Sequence, residues 1–307
     1  MYFFGKLCAT PQGKGILVDN ASTDGSADAI EREFGGDLTL IRSQENLGFG
    51  PANNLGAERA EADWILLLNP DTVVHPGAID RLLACAQNAP ERGVFGGVTE
   101  FADGSLNPAS AWANPTAWSM LARGLGLAAA FDRSPLFNPE PMPQWDRTTS
   151  RPVDIVSGCY LLIATPLWKK LGGFDPEFRL YAEEFDLCMR ARALGADPFV
   201  CAESKIVHLG GASDRVREDQ TVRQFAARAM LVRKHWGPLR ARAAIIGLTL
   251  WAFNKRFRAR ARGHHDDFQV WSRIWARRDE WRRPRAEGHL RSTAKPDPKP
   301  TPTSAQG

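Results

Sequence analysis

The chain has 307 residues with 43% hydrophobic and 24% charged side chains, an ordinary globular composition that supports one large domain or two smaller ones. Its longest uncharged apolar stretch, residues 243–253, is about half of the roughly 20 residues that a membrane span needs, and its first residues lack the features of a signal peptide, so we expect neither a transmembrane helix nor secretion. The net charge of +4 is uneven, because residues 222–291 carry 16 Arg and 2 Lys against 3 Asp and 2 Glu, a balance of +13 that leaves −9 elsewhere.

The first part of the chain alternates short apolar runs with helical patterns. We predict strands at residues 16–18, 38–41 and 64–68, and helices at residues 26–34, 50–62 and 76–88. This alternation is typical of a parallel, doubly wound sheet.

The second part is less regular. Residues 107–151 are rich in Pro and Trp with weak periodicity, which predicts a long irregular excursion over the sheet, and such loops are often functional. Order returns at residues 153–163 and 167–171, followed by a helix at 183–194 and a strand at 205–208. Arg-rich helices containing several tryptophans follow residue 222, and residues 295–307 should be disordered.

These patterns divide the chain into three parts: an α/β domain at residues 1–215, a basic, Trp- and Arg-rich helical extension at 216–291, and a disordered tail at 292–307. The cysteines are odd in number and form no C-x-x-C pair, so we interpret them as small buried hydrophobic residues in a reducing compartment. They are Cys8, Cys85, Cys159, Cys188 and Cys201.

Asp19 ends the first predicted strand, where a loop can reach the crevice in which open α/β sheets bind ligands. The next polar residues, Asn20, Ser22 and Thr23, could read the edge of a nucleobase and a ribose. Asp24 and the following glycine are also a plain turn signal, and Ser22 is a suitable helix cap. The residues alone leave both interpretations open.

Two further positions follow strands. Asp71 comes after the apolar run 64–68 and a proline, and a carboxylate held in this way is well placed to bind a hard divalent cation. Pro-Asp is equally a turn signal. His208 follows the last predicted strand, although a lone histidine is more often a satisfied core or surface residue than a ligand.

Three acids, Glu183, Glu184 and Asp186, crowd the first turn of a predicted helix. Acids at this position interact favourably with the helix dipole, which explains them structurally. Three acids so close together also repel one another, and repulsion or partial burial raises the pKa of a carboxylate toward that of a useful base.

Seven strings occur in one order along the chain: VDNASTDGS, NLGFGPANNLG, WILLLNPDTVV, VSGCYLLI, GGFDPEF, YAEEFDLCMRARALG and VHLGGAS. From about Gly15 to Ser213 they resemble the family 2 glycosyltransferases, and most of all a bacterial rhamnosyltransferase-like group that builds lipid-linked or cell-surface polysaccharide. The resemblance implies a GT-A (Rossmann-like) fold, with a mixed, mainly parallel sheet flanked by helices and here a C-terminal helical extension. It also implies Mg²⁺ or Mn²⁺ and an inverting transfer of a sugar, rhamnose in that group, from a nucleoside-diphosphate sugar to a hydroxyl of a lipid-linked or glycan acceptor.

Carried over residue by residue, the resemblance makes Glu184 the catalytic base and makes Asp71 and His208 the metal ligands. Asn69 stands where the first acid of a D-x-D motif would be. The implied donor-binding residues are Asp19, Asn20, Ser22, Asn46, Gly48, Asn53, Asn69 and Asp71. The implied acceptor-binding residues are Gly158, Cys159, Glu183 and Asp186.

The start of the chain departs from this pattern. Family members begin with a strand, a Thr-Tyr-Asn-like turn and a helix before the strand that ends at Asp19, whereas only 15 residues precede Ile16 here. Either the true start lies further upstream, or the chain is truncated, and a second hypothesis is then an N-terminally truncated, non-catalytic remnant that binds nucleotide or membrane. MYFFGKLC could compensate for the missing strand as a substitute. A third, nucleic-acid binding, lacks a recognised motif, and the acidic remainder would repel phosphates, so we expect no nucleic acid.

The basic segment includes an apolar stretch at residues 243–253 that carries Ile245, Ile246, Leu248, Leu250, Trp251 and Phe253 between flanking Arg and Lys residues. This pattern suits a helix that lies in the headgroup region of an anionic cytoplasmic leaflet. The same apolar face could instead pack on the catalytic domain. We expect a cytoplasmic protein, with peripheral attachment to the inner face of the cell membrane in the first case.

Overall fold

The computed structural model describes residues 3–7, 15–210 and 217–283, with side chains at 15–210 and 218–283. The predicted disordered tail and Cys8 lie outside the described residues. The strands are β1 Phe3–Leu7, β2 Gly15–Asp19, β3 Leu38–Arg42, β4 Trp64–Leu68, β5 Thr72–Val74, β6 Val94–Glu100, β7 Leu106–Asn107, β8 Ala111–Trp112, β9 Arg151–Pro152, β10 Ile155–Val156, β11 Tyr160–Ala164 and β12 Phe199–His208. The α-helices are α1 Ser26–Phe34, α2 Phe49–Ala57, α3 Ala78–Asn88, α4 Ala117–Gly124, α5 Leu127–Ala130, α6 Thr165–Leu171, α7 Glu183–Ala193, α8 Arg217–His235, α9 Pro238–Ala261, α10 His265–Ala276 and α11 Arg278–Arg282.

Three sheets carry the described α/β part, the smallest of which is the antiparallel pair β8–β10. One of the other two has the order β1-β2-β3, and the second has the order β4-β11-β6-β12-β5, with β7 on β6 and β9 on β12. The expected mixed sheet flanked by helices is confirmed. Parallel pairing is confined, among the described strands, to β2–β3 and β6–β12. It is less extensive than expected because β11 returns antiparallel between β4 and β6.

The N-terminal strand β1 pairs antiparallel with β2, from Phe3 opposite Asp19 to Leu7 opposite Ile16, and it also lies beside β4. The pairing gives the backbone of β2 a partner on each side, since β3 pairs with its other edge. The segment that the sequence offered as a substitute strand therefore forms one.

The core lies on both faces of the second sheet. Along β4, Ile65 and Leu67 join one apolar cluster and Leu66 and Leu68 join another, as alternating side chains of a strand must. Burial on both faces explains why this strand is a continuous apolar run in the sequence. The predicted strand at 64–68 and helix at 26–34 are confirmed, whereas the helix predicted at 50–62 ends at Ala57.

The prediction that residues 107–151 are irregular is wrong for α4 and α5. Thr116 caps α4, because its hydroxyl accepts a hydrogen bond from the Ser119 N–H at 2.9 Å. The Ser119 hydroxyl in turn accepts from the Thr116 N–H and donates to the Thr116 carbonyl. This reciprocal cap stabilises a helix start that the weak periodicity did not reveal.

Helix α4 packs against the C-terminal helices α8–α11. A Cβ atom at Gly247 of α9 would lie 2.6 Å from the carbonyl carbon of Met120, so the two helices touch through their backbones. Ile245 and Leu248 are buried in the apolar cluster that this contact encloses. One side of α9 thus packs on the rest of the protein. None of the helices in the described ranges is long and apolar enough to span a membrane.

Candidate active site

Asn20 joins the end of β2 to the loop before α2. Its side-chain NH₂ donates to the Asn46 side chain and to the Gly48 carbonyl, both at 3.2 Å, and its oxygen accepts from the Leu47 N–H at 2.8 Å. Asn46 in turn accepts from the Gly48 N–H at 3.0 Å. Asn20 and Asn46, both predicted to bind donor, are thus engaged with each other and shape this loop.

Asp19 is buried at the end of β2, where its carboxylate accepts a hydrogen bond from the Ser22 N–H at 3.1 Å. Ala21 between them has a φ of 64°, a left-handed conformation that alanine rarely adopts. The Ser22 hydroxyl is buried and has no hydrogen-bond partner in the described structure, and the same holds for the side-chain oxygen of Asn53. Buried polar atoms normally find a partner, so these two are available to a ligand.

Gly48 precedes Phe49, whose ring lies near Glu184 across Gly158. Gly48 has a φ of 87°, and a Cβ atom there would lie 2.4 Å from the Arg179 carbonyl oxygen, so no other residue fits. The ring of the following Phe49 then lies against Gly158, where a Cβ atom would be 3.3 Å from the ring and 3.7 Å from the Cβ atom of Glu184. Gly158 therefore allows the close approach of the two segments.

Asp71 and His208 meet at neighbouring strand ends. Asp71 precedes β5 and His208 ends β12, and the two strands pair with His208 opposite Thr72. The Asp71 Oδ1 atom lies 3.3 Å from the His208 Nε2 atom. Interaction with the His208 ring lowers the pKa of Asp71, so its carboxylate is ionised at neutral pH.

Cys159 lies near two acids, Asp71 and Glu184. Its carbonyl accepts a hydrogen bond from the Asn69 N–H at 3.0 Å, which ties it to the loop that carries Asp71. Burial raises the pKa of its thiol to about 12, and the negative charges of Asp71 and Glu184 both add to the shift. Asp71 and Glu184 therefore both lie near enough to the Cys159 thiol to act on it electrostatically.

The acid pair begins α7 after a strained turn. Tyr181 and Ala182 have φ values of 71° and 65°, two consecutive left-handed residues that are not glycine. Such strain persists only where the surrounding fold imposes it, and it is concentrated at functional sites. Burial raises the pKa of Glu184 to about 7, and burial together with the charge of Glu184 raises the pKa of Glu183 well above its usual value.

Asp186 has a different environment from the two glutamates. Its buried carboxylate accepts hydrogen bonds from Arg190 at 2.7 Å and His235 at 2.8 Å and pairs with Lys234 at 2.6 Å. These partners hold the pKa of Asp186 at about 2 against the opposing effect of burial. The predicted acceptor role is not needed to explain this acid, because it attaches α8 to α7.

Asp71 and His208 also fit a divalent cation. The buried Nε2 atom of His208 has no hydrogen-bond partner among the described residues, Asp71 included, although the carboxylate oxygen is only 3.3 Å away. No group of three or more His, Cys, Asp or Glu that could hold a metal occurs in the described ranges. A cation here would take two ligands from the protein and the rest from other molecules, which is common for ions that bridge substrate phosphates.

Sequence reasoning missed the strained residues Ala21, Tyr181 and Ala182. Neither alanine nor tyrosine favours positive φ, so no sequence signal marks these turns. It also missed Phe49, which looks like an ordinary apolar helix residue and contacts Gly158 only because the loop before it is folded back.

Comparison with known proteins agrees with this geometry. Residues 14–139 match the family model "Glycosyl transferase family 2". An N-acetylglucosaminyl-diphospho-decaprenol L-rhamnosyltransferase of Mycobacterium tuberculosis is 31% identical over 206 residues, and the match spans 63% of this chain and 65% of that relative. A low-salt glycan biosynthesis hexosyltransferase of Haloferax volcanii is 23% identical over 197 residues, or 63% and 58% of the two chains.

Among solved structures, a mannosyltransferase of Pyrobaculum calidifontis, in complex with GDP-Man and Mn²⁺, superposes with a TM-score of 0.52 at 15% identity. The superposition covers 87% of this chain and 77% of that one. The fold is therefore of the GT-A class. Residues 14–139 thus resemble glycosyltransferase family 2, and the chain is similar over 206 residues to a rhamnosyltransferase.

Proposed function

We propose that this chain is an inverting glycosyltransferase that moves a sugar from a nucleoside-diphosphate donor to a hydroxyl of a lipid-linked acceptor. The observation that carries the proposal is that Asp71, beside His208, and Glu184 come from different segments and both act electrostatically on the buried Cys159. The similarity to the L-rhamnosyltransferase of Mycobacterium tuberculosis supports rhamnose as the sugar and a polyprenyl-diphosphate sugar as the acceptor.

Glu184 is the proposed catalytic base. A carboxylate with a pKa of about 7 is a much stronger base than an exposed glutamate and is still substantially ionised at neutral pH. It would accept the proton of the attacking acceptor hydroxyl, which then displaces the nucleoside diphosphate in a single step. A single displacement inverts the anomeric centre, by the same logic as in single-step glycosidases.

Asp71 and His208 are the proposed protein ligands of Mg²⁺ or Mn²⁺. When bound, the cation would neutralise the charge that develops on the departing diphosphate. Asp71 is suited to this position because its pKa is lowered, and His208 because its Nε2 atom faces the Asp71 carboxylate at 3.3 Å.

The other predicted donor residues divide into two groups. Asp19, Ser22 and Asn53 keep polar atoms that a nucleotide can use, whereas Asn20, Asn46 and Gly48 shape the loop beside them. Asn69 contributes its backbone to the contact with Cys159. We propose that the first group contacts the nucleoside and that the second group positions the first.

The decisive experiment separates donor binding from turnover. Donor binding to the full chain is measured by calorimetry with dTDP-rhamnose and Mn²⁺, and transfer is measured with a polyprenyl-diphosphate N-acetylglucosamine acceptor. Glu184→Gln should keep donor binding and lower turnover on the order of 10²- to 10⁴-fold, because only proton abstraction is lost. Asp71→Ala should abolish the dependence of donor binding on Mn²⁺.

Glu177→Gln is the matched control, because Glu177 is an exposed glutamate of the preceding loop. It should leave both measurements unchanged. A Glu184→Gln enzyme with near-normal turnover would contradict the assignment of the base. A wild-type chain that binds donor and transfers no sugar to any acceptor would support the non-catalytic hypothesis instead.

A further inference from the structure

Helix α9 exposes a row of large apolar side chains along its whole length. Leu239, Ile246 and Phe253 are spaced by seven residues and Phe257 follows four later, so they share one face of the helix. Their exposed fractions are 79%, 53%, 46% and 61%. The row from Leu239 to Phe257 is about 27 Å long.

This row lies opposite the face that α9 buries in the helical cluster. Ala241, Ala244, Leu248 and Ala252 are buried, and they lie about half a turn away from the exposed residues. Helix α9 is therefore apolar on two opposite sides. One side is buried in the helical cluster, and the other stays largely exposed although the Phe253 ring lies 5.8 Å from the Trp275 ring of α10. A surface helix of a soluble domain normally has one apolar stripe and an opposite polar face.

Helix α4 extends the exposed row. The two helices run in the same direction through their contact, since Met120 meets Gly247 and the Asn254 side chain bonds the Gly124 carbonyl further along both. On the side of the bundle core, the Arg123 guanidinium lies 5.2 Å from the Trp251 ring.

Right-handed helix geometry then puts the exposed residues of α4 on the other side of this contact, next to the row on α9. These residues are Trp118 and Leu125, with exposed fractions of 43% and 55%. We call this set the α4–α9 apolar face: Trp118, Leu125, Leu239, Ile246, Phe253 and Phe257.

The charges on α9 itself are all of one sign. Helix α9 contains Arg240, Arg242, Lys255, Arg256, Arg258 and Arg260 and no acidic residue. Arg242 lies one turn before Ile246 and Arg260 lies one turn after Phe257, and both are exposed at the border of the row. Long basic side chains at such a border can keep their charges at the level of lipid phosphates while the apolar residues enter the hydrocarbon.

We propose that the α4–α9 apolar face docks on the headgroup region of an anionic lipid bilayer. Large exposed apolar residues, an exposed tryptophan and a basic border are the features of a helix that lies in this interface. The alternative that the sequence left open, packing of the apolar stretch on the catalytic domain, holds for Ile245 and Leu248. It does not hold for Ile246 and Phe253, so the two interpretations apply to opposite sides of one helix.

The test compares two phenylalanines of nearly equal exposure. Phe253 is 46% exposed on the proposed face, and Phe34 is 44% exposed at the end of α1. The full chain and the variants Phe253→Glu and Phe34→Glu are floated with phosphatidylcholine vesicles that contain or lack phosphatidylglycerol. We expect the wild type to float with the anionic vesicles at low salt, Phe253→Glu to bind at least about tenfold more weakly, and Phe34→Glu to bind as the wild type does.

High salt should weaken binding as well, because the basic border interacts through screened charges. Far-UV circular dichroism and the melting temperature confirm that each variant is folded. A wild type that does not float, or two variants that lose binding equally, overturns the proposal. So does a dimer in sedimentation analysis that Phe253→Glu dissociates, because the face would then bind a second copy of the chain.

Discussion

The helical part pairs acids of α8 with arginines, whereas the start of α7 in the α/β part leaves two neighbouring glutamates without an ion pair in the described structure. On α8, Asp219 pairs with Arg277 at 2.5 Å, and Glu218 pairs with Arg273 at 2.5 Å. In the α/β part, Glu183 and Glu184 are largely withdrawn from water, and neither forms an ion pair within the described ranges. An acid withdrawn from water without an ion-pair partner destabilises a fold, so two such glutamates side by side indicate that chemistry rather than stability selects them.

Asp186 is ion-paired in the described structure, unlike the two glutamates that precede it. It lies two residues after Glu184 on the same helix, yet Arg190, Lys234 and His235 neutralise it. Lys234 and His235 end α8, so the helical part supplies two of these three partners, and Arg190 comes from α7 itself. The comparison predicts that loss of Asp186 affects stability, that loss of ionisation at Glu184 affects turnover, and that loss of Glu183 improves stability.

The largest expected effect on stability is that of Asp186→Ala. Asp186 is fully buried, whereas Arg190, Lys234 and His235 are 16–29% exposed, so its removal leaves partly hydrated cations and should lower the free energy of unfolding by about 3 kcal/mol, the low end for a buried ion pair. We expect this loss in urea denaturation at neutral pH.

Glu31→Gln on α1 is the control for Asp186→Ala. Glu31 also pairs with an arginine, Arg42, at 2.8 Å, but its side chain is 59% exposed, so its loss should change the free energy of unfolding by less than about 1 kcal/mol. Equal effects of the two substitutions would show that Asp186 does not hold the two parts of the molecule together.

The next effect concerns the pH dependence of turnover. A base with a pKa of about 7 must be ionised to act, so kcat should fall about tenfold per pH unit below about pH 7 and level off above it. The sign follows from the raised pKa, because a glutamate of ordinary pKa would keep the rate constant down to about pH 5. Steady-state rates from acid to mildly alkaline pH test this, and a flat profile would remove Glu184 from the role of base.

The sequence predicts some parts of this molecule better than others. The strand at 64–68 could be predicted from the sequence, because burial on both faces leaves a continuous apolar run. The positions of Asp71, Glu184 and His208 came from motifs, but whether they share a pocket depends on the pairing of β5 with β12 and on the close contact of Phe49 with Gly158. Long-range pairing of this kind leaves no local signal.

Electrostatic environments were the least predictable feature. Glu183, Glu184 and Asp186 are neighbours in the sequence, and their spacing predicts that all three repel one another. Their pKa values diverge because α8 arrives at one side of α7 and brings Lys234 and His235 to Asp186 alone. Similarly, the two apolar sides of α9 could be separated only when the contact of Gly247 with Met120 fixed the orientation of the helix.

The smallest expected effect, and the one of opposite sign, is that of Glu183→Gln. Glu183 is 5% exposed, and its Oε2 atom has no hydrogen-bond partner in the described structure. Burial raises its pKa in the folded state, whereas in the unfolded chain it ionises at its usual pKa of about 4.3. Above that pH, folding must either take up a proton or bury a charge, so the wild type loses stability as the pH rises toward the folded-state pKa.

Glutamine has nearly the same shape and cannot ionise, so the Glu183→Gln protein should not show this loss. We expect its free energy of unfolding to exceed that of the wild type by about 1 kcal/mol at pH 8 and to equal it near pH 4, measured by urea denaturation at both pH values. Glu33→Gln, at an exposed position of α1, should have no effect at either pH. If Glu183→Gln destabilises the protein at pH 8, the ionised carboxylate has a partner that stabilises it, and the contrast between the two parts of the molecule does not extend to Glu183.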